Sequence, residues 1–336
     1  MRRSCLLAAF VFLVCIRSFS ADESAPRFAL PLACTPGDDC FLQNYVDGDA
    51  GPGAADYACG FLTYDGHRGS DFRLVDRAAM LRGVVVKAAH DGVVRAVRDG
   101  MADRSIAATG SAAVAGREAG NSVVIVHGNG WETQYAHMQL GSITVKPGQS
   151  VKTGDTLGKV GLSGKTEFPH LHFEVRHDEM PIDPFTGSGK PIRCGEGGGA
   201  SLWDPNAGKL LSYRPASVLK AGFSFAVPEL ESVLDAETPA KIDPQAGALI
   251  FWVYLIGIRE GDTETTRLYC DNGKEVVSET RKPAKNKATW LTYTEIRHPR
   301  SKCPGGSGFR AEYRLVRQDP AGDAKEIVAI DRRLAP

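Results

Sequence analysis

Short β-favouring runs, each closed after a few residues by glycine turn chemistry, constrain this chain more than any other feature. "VVVKAAHDGVVRAVRDG" (84–100) turns at Asp91-Gly92 and "NSVVIVHGNGWETQYAHM" (121–138) turns at Gly128-Asn129-Gly130. "SITVKPGQSVKTGDTLGKVG" (142–161) turns at Pro147-Gly148 and again at Gly154-Asp155. Such dipeptides supply the backbone conformations that tight hairpins need, so the runs read as antiparallel strands. With 37 glycines and few stretches of helical period, the expected fold class is all-β. The segment from Met101 to Gly120 is rich in Ala, Gly and Ser and lacks strand alternation. It reads as an inserted surface loop.

The 336 residues allow one to three domains. Lys and Arg total 40, as do Asp and Glu, for a formal net charge of zero. That balance predicts no nucleic-acid footprint and no electrostatic hold on an anionic membrane. Arg2 and Arg3, the apolar run "CLLAAFVFLVCI" (5–16) and the small residues around Ser20 and Ala21 have the form of a signal peptide over residues 1–21. About 12 apolar residues are too few to span a bilayer, which needs roughly 20, so no stable membrane insertion is expected. Cys15 lies behind Val14, a larger residue than a lipoprotein signal wants there.

Residues 22–58 read as a loop-rich N-terminal segment. "DGDAGPGAAD" (47–56) begins like a calcium loop but has Ala58 where the closing glutamate belongs, so it reads as a plain loop. Residues 59–193 hold the hairpins, and the Gly-rich "CGEGGGAS" starts a linker over 194–215. Residues 216–336 add further β runs at regular spacing, which suggests a C-terminal β-sandwich-like accessory domain. Within it "ALIFWVYLIGI" (248–258) is too short for a membrane helix and rich in β-branched and aromatic residues, so a buried strand is expected. Six cysteines follow the leader. No C-x-x-C pair favours a zinc-thiolate cluster, and locality suggests the disulfides Cys34–Cys40, Cys59–Cys194 and Cys270–Cys303 among the 15 pairings that six cysteines allow.

Chemistry-bearing residues concentrate in three segments. In "FPHLHFEV" (168–175), His170 and His172 are two apart, so a strand projects both imidazoles from one face while Leu171 and Phe173 go to the other. In "DGHRGSDF" (65–72), His67 and Asp71 are four apart, and Gly66 and Gly69 argue for an extended or turn conformation over a helix. In "ETQYAHM" (132–138), His137 ends a strand, with Tyr135 and Thr133 expected on its own face. Any one segment has an ordinary reading: a half-exposed strand, a surface ion pair among Asp65, Arg68 and Asp71, a structural histidine. Imidazole and carboxylate together are good zinc donors, and three ligands with one open position is the catalytic arrangement. His90, His177 and His298 read as turn or surface residues.

In this order, H-x-x-x-D, Y-A-H-M and H-L-H-F-E, the segments resemble the lysostaphin/LytM-type zinc peptidases, which cleave peptide bonds in peptidoglycan. The resemblance covers roughly Cys59 to Pro184, and "GLSGKTEFPHLHFEV" followed by "PIDPF" is similar to the family's closing strand and its Asp-Pro end. It implies a LytM-type antiparallel β-sheet peptidase domain over 59–193. It also implies a Zn2+ cofactor held by His67, Asp71 and His172, with His137 and His170 as non-ligand catalytic histidines. Glu167 and Phe168 depart from the smaller residues usual before Pro-His, which implies a bulkier cleft wall. No H-E-x-x-H glutamate is present as a general base, so His137 or His170 would take the proton or stabilise the oxyanion. Each orienting ring nitrogen needs an acceptor; Glu174 shares His172's face and is a weak candidate for it, the ordinary reading being a solvated strand glutamate. "VKPGQSVKTGDTLGKVG" is also similar to carrier-domain hairpins, but Lys152 and Lys159 lack the acidic context of a modified lysine.

The resulting expectation is an exported, periplasmic zinc endopeptidase acting on stem or cross-bridge peptides of peptidoglycan, its C-terminal domain free to contact cell-wall machinery. The alternative is a catalytically inactive LytM-type regulator that binds and activates other wall hydrolases. Residues 22–58 could also lie across the cleft and make the enzyme latent, with Asp47, Asp49 or Asp56 as a fourth ligand.

Overall fold

The structure is a computed structural model that describes residues 25–189, 191, 199–235, 238–243, 245–304, 308–319 and 321–336. The leader expected at 1–21 and Cys194 lie outside the described residues. The chain is mostly β. Ten strands build the first part: β1 (Cys40–Asn44), β2 (Ser70–Leu74), β3 (Val85–Lys87), β4 (Gly92–Arg98), β5 (Asn121–Gly128), β6 (Trp131–Met138), β7 (Ser150–Val151), β8 (Thr156–Lys159), β9 (His170–His177) and β10 (Met180–Ile182). Eight of them form one antiparallel sheet in the order β1-β2-β9-β6-β5-β4-β7, with β10 returning along β9. The short β3–β8 pair lies apart from it.

One face of this sheet is the core. Phe72 and Leu74 of β2, Leu171, Phe173 and Val175 of β9, Tyr135 of β6 and Ile125 of β5 are all fully buried together with Val86 and Leu157 of the small pair. Their period of two leaves Asp71, His170, His172 and Glu174 on the opposite face. The sequence thus dictates two faces of different chemistry on the same central strands.

Two findings differ from the sequence expectations and one adds to them. The N-terminal segment, read as loop-rich, also carries β1, which pairs with β2 and forms the sheet edge. The 101–120 insertion contains two single turns of helix, Ile106–Thr109 and Ser111–Val114. It is tied down by Asp103, whose carboxylate accepts the amides of Leu140 and Leu162. The stretch expected as a linker carries a helix, Pro205–Leu210, capped by Asp204, and Leu202, Trp203, Ala207 and Leu211 bury into the first core. Apolar side chains inside a glycine- and proline-rich stretch, with an Asp-Pro helix start, outweigh its loop-like composition.

Seven strands follow: β11 (Ser217–Ser224), β12 (Ala248–Ile258), β13 (Thr263–Cys270), β14 (Glu275–Arg281), β15 (Lys287–Arg297), β16 (Phe309–Gln318) and β17 (Ala324–Leu334). They form a three-stranded sheet, β11-β12-β15, and a four-stranded sheet, β14-β13-β16-β17. Phe223, Phe251, Val253 and Leu255 of the first meet Leu268, Ala311, Tyr313 and Leu315 of the second, as in a sandwich. The run 248–258 is a strand, and both of its faces are covered. Phe251, Val253 and Leu255 face the sandwich core, while Trp252, Tyr254 and Ile256 join Phe41 of β1 and Leu219, Val233 and Leu234 in a second cluster. A strand buried on both sides needs an uninterrupted apolar sequence, at about 1.5–3 kcal/mol for each large side chain removed from water. Disulfides join Cys34 to Cys40 and Cys270 to Cys303. Cys59 is also disulfide-bonded. Among the described residues no helix is long and apolar enough to cross a membrane.

Candidate metal centre and active site

Antiparallel pairing sets Asp71 of β2 directly opposite His172 of β9. His67 arrives from the turn before β2, where its amide donates to the Tyr64 carbonyl. Asp71 Oδ1 lies 2.9 Å from His172 Nδ1 and 3.2 Å from His67 Nε2. One ligand atom from each of the three lies within 4.8 Å of the others. Close approach depends on Gly69, where a Cβ would stand 2.7 Å from the His172 ring. His67 Nδ1 donates to the Tyr45 carbonyl at 2.6 Å, which leaves the Nε2 lone pair facing the cluster. Two imidazoles and a carboxylate converging on one point form a donor set that fits a divalent metal with open coordination positions.

His137 reaches this site by a route that strand alternation does not give. Ala136 pairs with His172 and Tyr135 with Phe173, so regular alternation would point His137 into the core beside Tyr135 and Thr133. The β5–β6 register shifts between Asn121 and Val123, and His137 adopts φ 59°. This bulge with a left-handed residue turns the ring over to the other face. The expectation that His137 shares a face with Tyr135 and Thr133 is therefore corrected. Those two are buried in a hydrogen-bond chain with the Ala89 amide, while the His137 ring lies 4.6 Å from that of His170 and 6.0 Å from that of His172.

Both non-cluster histidines have an assigned tautomer. His137 Nδ1 donates to the Ser163 carbonyl at 2.8 Å, and His170 Nδ1 donates to the Phe168 carbonyl at 2.9 Å. Each is left with an Nε2 acceptor, and that of His170 lies 3.5 Å from Asp71 Oδ1. Burial holds both imidazoles below their usual pKa, and for His137 the neighbouring His170 and His172 add to it. Burial also works against charge on Asp71, but His67, His170 and the hydrogen bond from His172 outweigh it and hold the carboxyl well below its ordinary range. For His172 burial is again opposed, here by Asp71 and Glu174, and its pKa is pushed up to about 9. The face can therefore hold an ionised carboxylate beside two neutral, proton-accepting imidazoles.

One supporting residue escaped the sequence reading, and another, Glu174, ranks there behind its reading as a solvated residue. Asn44 Nδ2 donates to Asp71 Oδ2 at 2.9 Å, fixing the carboxylate so that Oδ1 serves the histidines. Nothing in local spacing could have found it, since it comes from β1, 27 residues upstream. Glu174 is buried at 7% exposure, not a solvated strand residue. Its carboxylate stands 3.8 Å from His172 Nε2, 3.1 Å from Arg68 and 3.6 Å from Arg176. A carboxylate behind a ligand imidazole orients the ring and raises its basicity. Glu174→Gln is expected to weaken metal affinity about 10- to 100-fold while leaving the fold intact, as read by titration with a competing chelator.

A cleft of about 330 Å³ opens beside His67, between the 46–51 loop and the chain around Met180 and Pro181. The acids weighed as a fourth ligand are engaged in building loops. Asp47 accepts the amides of Asp49, Ala55 and Gly66, and Asp49 accepts that of Gly51. Asp56 accepts the amides of Ala58, Gly60 and Leu62 and the Tyr213 hydroxyl. Among the described residues only Cys34, Asp39 and Cys40 form another cluster of potential ligands, and two of these are joined as a disulfide. His90 and His127 pack against each other away from the site, and His177 packs on Trp131.

Part of the chain is similar to known proteins. Residues 66–184 match Peptidase family M23. The chain is 43% identical over 86 residues to the cell division protein DipM of Caulobacter vibrioides, covering 23% of this chain and 14% of that one. It is 38% identical over 117 residues to the peptidoglycan DD-endopeptidase ShyA of Vibrio cholerae, covering 35% and 22%. It is 37% identical over 97 residues to the DD-carboxypeptidase/endopeptidase Mpg of Neisseria meningitidis, covering 28% and 22%. The chain thus spans less than a quarter of the length of each of these relatives. A zinc-containing peptidase from Vibrio cholerae is similar over 43% of this chain and 39% of its own at 29% identity, with a TM-score of 0.28 that adds no argument.

Proposed function

That residues 66–184 are a Peptidase family M23 domain is the premise from which we propose that the protein is an exported, zinc-dependent endopeptidase. On this reading it hydrolyses peptide bonds in peptidoglycan stem or cross-bridge peptides. The observation that carries the reading is the convergence of His67, Asp71 and His172, from a turn and two paired strands, with the imidazoles of His137 and His170 alongside. His67 Nε2, Asp71 Oδ1 and His172 Nδ1 would hold the zinc. Zinc bound there supplies Lewis acidity and makes water a nucleophile near neutral pH.

The remaining chemistry belongs to the chain. His137 and His170 each present a bare Nε2, so either can accept the proton released by the attacking water and return it to the leaving amine. Once protonated, the same atom donates a hydrogen bond to the developing oxyanion. The Ser163 and Phe168 carbonyls keep Nδ1 protonated and thereby keep Nε2 as the exchanging atom. The leader-like residues 1–21 and the disulfides support export to the periplasm. No feature of the site favours a metal-free regulator, which has no use for three converging ligands.

Mass analysis of muropeptides released from purified peptidoglycan tests the reading. The wild-type protein is expected to cut cross-linked or stem peptides, with loss of products on chelation and recovery with zinc. Release that persists unchanged in His170→Ala would contradict the role given to that residue.

A further inference from the structure

Arg73 is buried at 1% exposure in the wall of the site. It stands opposite His170 in the β2–β9 pair, on the face that carries Asp71. Nη1 donates to Gln43 Oε1 at 2.5 Å and Nη2 donates to the Tyr254 hydroxyl at 3.1 Å. The guanidinium lies 4.2 Å from the centre of the Phe168 ring and 5.3 Å from that of Tyr254. Nε has no hydrogen-bond partner, and no carboxylate pairs with the group among the described residues. Glu167 acts on it only from a distance, and a buried cation with no carboxylate in contact is expensive, so that an apolar side chain of similar volume would fill the space at lower cost. Two aromatic faces offset part of that cost.

What the guanidinium holds in place is Phe168. The Phe168 ring is 4.9 Å from that of His170, and its carbonyl accepts His170 Nδ1–H and the Thr166 hydroxyl, each at 2.9 Å. The orientation of that peptide group therefore sets which nitrogen of His170 carries the proton. Tyr254 belongs to β12, on the face of the C-terminal sandwich that packs against β1. A continuous path runs from the sandwich through Tyr254, Arg73 and Phe168 to His170.

We propose that Arg73 and Tyr254 are positioning residues for His170, and that the C-terminal sandwich thereby completes the active site. The proposal rests on the reading of His170 as catalytic. Phe168, a bulky residue before Pro-His, gives Arg73 a flat surface to grip, and the sandwich supplies the second surface.

The test uses the full-length, zinc-loaded protein with Tyr254→Phe, which keeps the ring and removes only the hydroxyl. Kinetics on a soluble cross-linked muropeptide are combined with 15N NMR of the His170 ring, thermal midpoint and zinc content. The expected result is a drop in kcat of about tenfold, the order of one lost hydrogen bond, with KM within about twofold. The His170 nitrogen shifts move towards the other tautomer, while zinc content is kept and the midpoint, lowered by the lost hydrogen bond, stays well above the assay temperature. Arg73→Lys is expected to lose more, because a lysine cannot bridge Gln43 and Tyr254 or lie flat on Phe168. Unchanged kcat with unchanged nitrogen shifts in Tyr254→Phe overturns the proposal. So does a loss of activity that follows the unfolded fraction while the shifts stay put. A wild-type protein that cleaves nothing refutes the hydrolase reading instead, and the nitrogen shifts still decide this one.

Discussion

His172→Ala is expected to lose both its metal and all hydrolysis above background. The ring is the central member of the cluster, with Nδ1 2.9 Å from Asp71 Oδ1 and 3.2 Å from His67 Nε2, and Glu174 stands behind it. Removing it leaves one imidazole and one carboxylate, too few for a catalytic zinc site. It also leaves Glu174 ion-paired with Arg68 and Arg176 alone, which balance its charge, so the fold is expected to survive. Metal content by mass spectrometry, set beside circular dichroism, checks both halves. The wild-type site adds a pH signature. Without metal His172 titrates near 9, and a ligand must give up its proton to bind. Zinc affinity is therefore expected to rise with pH, by about tenfold per unit for one released proton, and to level off above about pH 9. A folded, zinc-replete His172→Ala protein would remove the metal centre from the proposal.

His137→Ala is expected to lower kcat by about 10²–10⁴-fold with zinc retained, because the ring approaches the cluster without belonging to it. The pH dependence follows from the direction of its shift. Burial holds His137 and His170 below the usual imidazole value of 6.5. Each is therefore neutral at that pH and becomes protonated only as the pH falls through its lowered value. The neutral ring is the proton acceptor, so the acid limb of kcat/KM lies below pH 6.5, and activity persists where an exposed histidine would already be charged. A full pH–rate profile of wild type and His137→Ala checks this. An acid limb at or above 6.5 would show that neither buried imidazole governs it.

The legibility of the fold varied with the length scale of the cause. Strand runs and glycine turns are local, and β4–β6 and β9 stand where alternation and turn chemistry put them. The apolar run at 248–258 was readable as a strand, but that both its faces are covered depends on β1 and the helix at Leu230–Asp235, far away in sequence. Composition misled at 194–215 and around Glu174. A glycine-rich stretch can still insert Trp203 and Leu211 into a core, and a strand glutamate can be buried if Arg68 and Arg176 reach it.

By itself the sequence determined which residue types could do chemistry here. The H-x-x-x-D and H-x-H spacings follow from covalent connectivity and a period of two, which no distant contact can alter. Tertiary structure alone decided that the segments meet on one face. It decided that a bulge and a positive φ flip His137 out of the core, and that Asn44, Arg73 and Tyr254 brace the site from remote strands. Those outcomes depend on register and packing between elements up to 181 residues apart, and such contacts have no signature in a single local window.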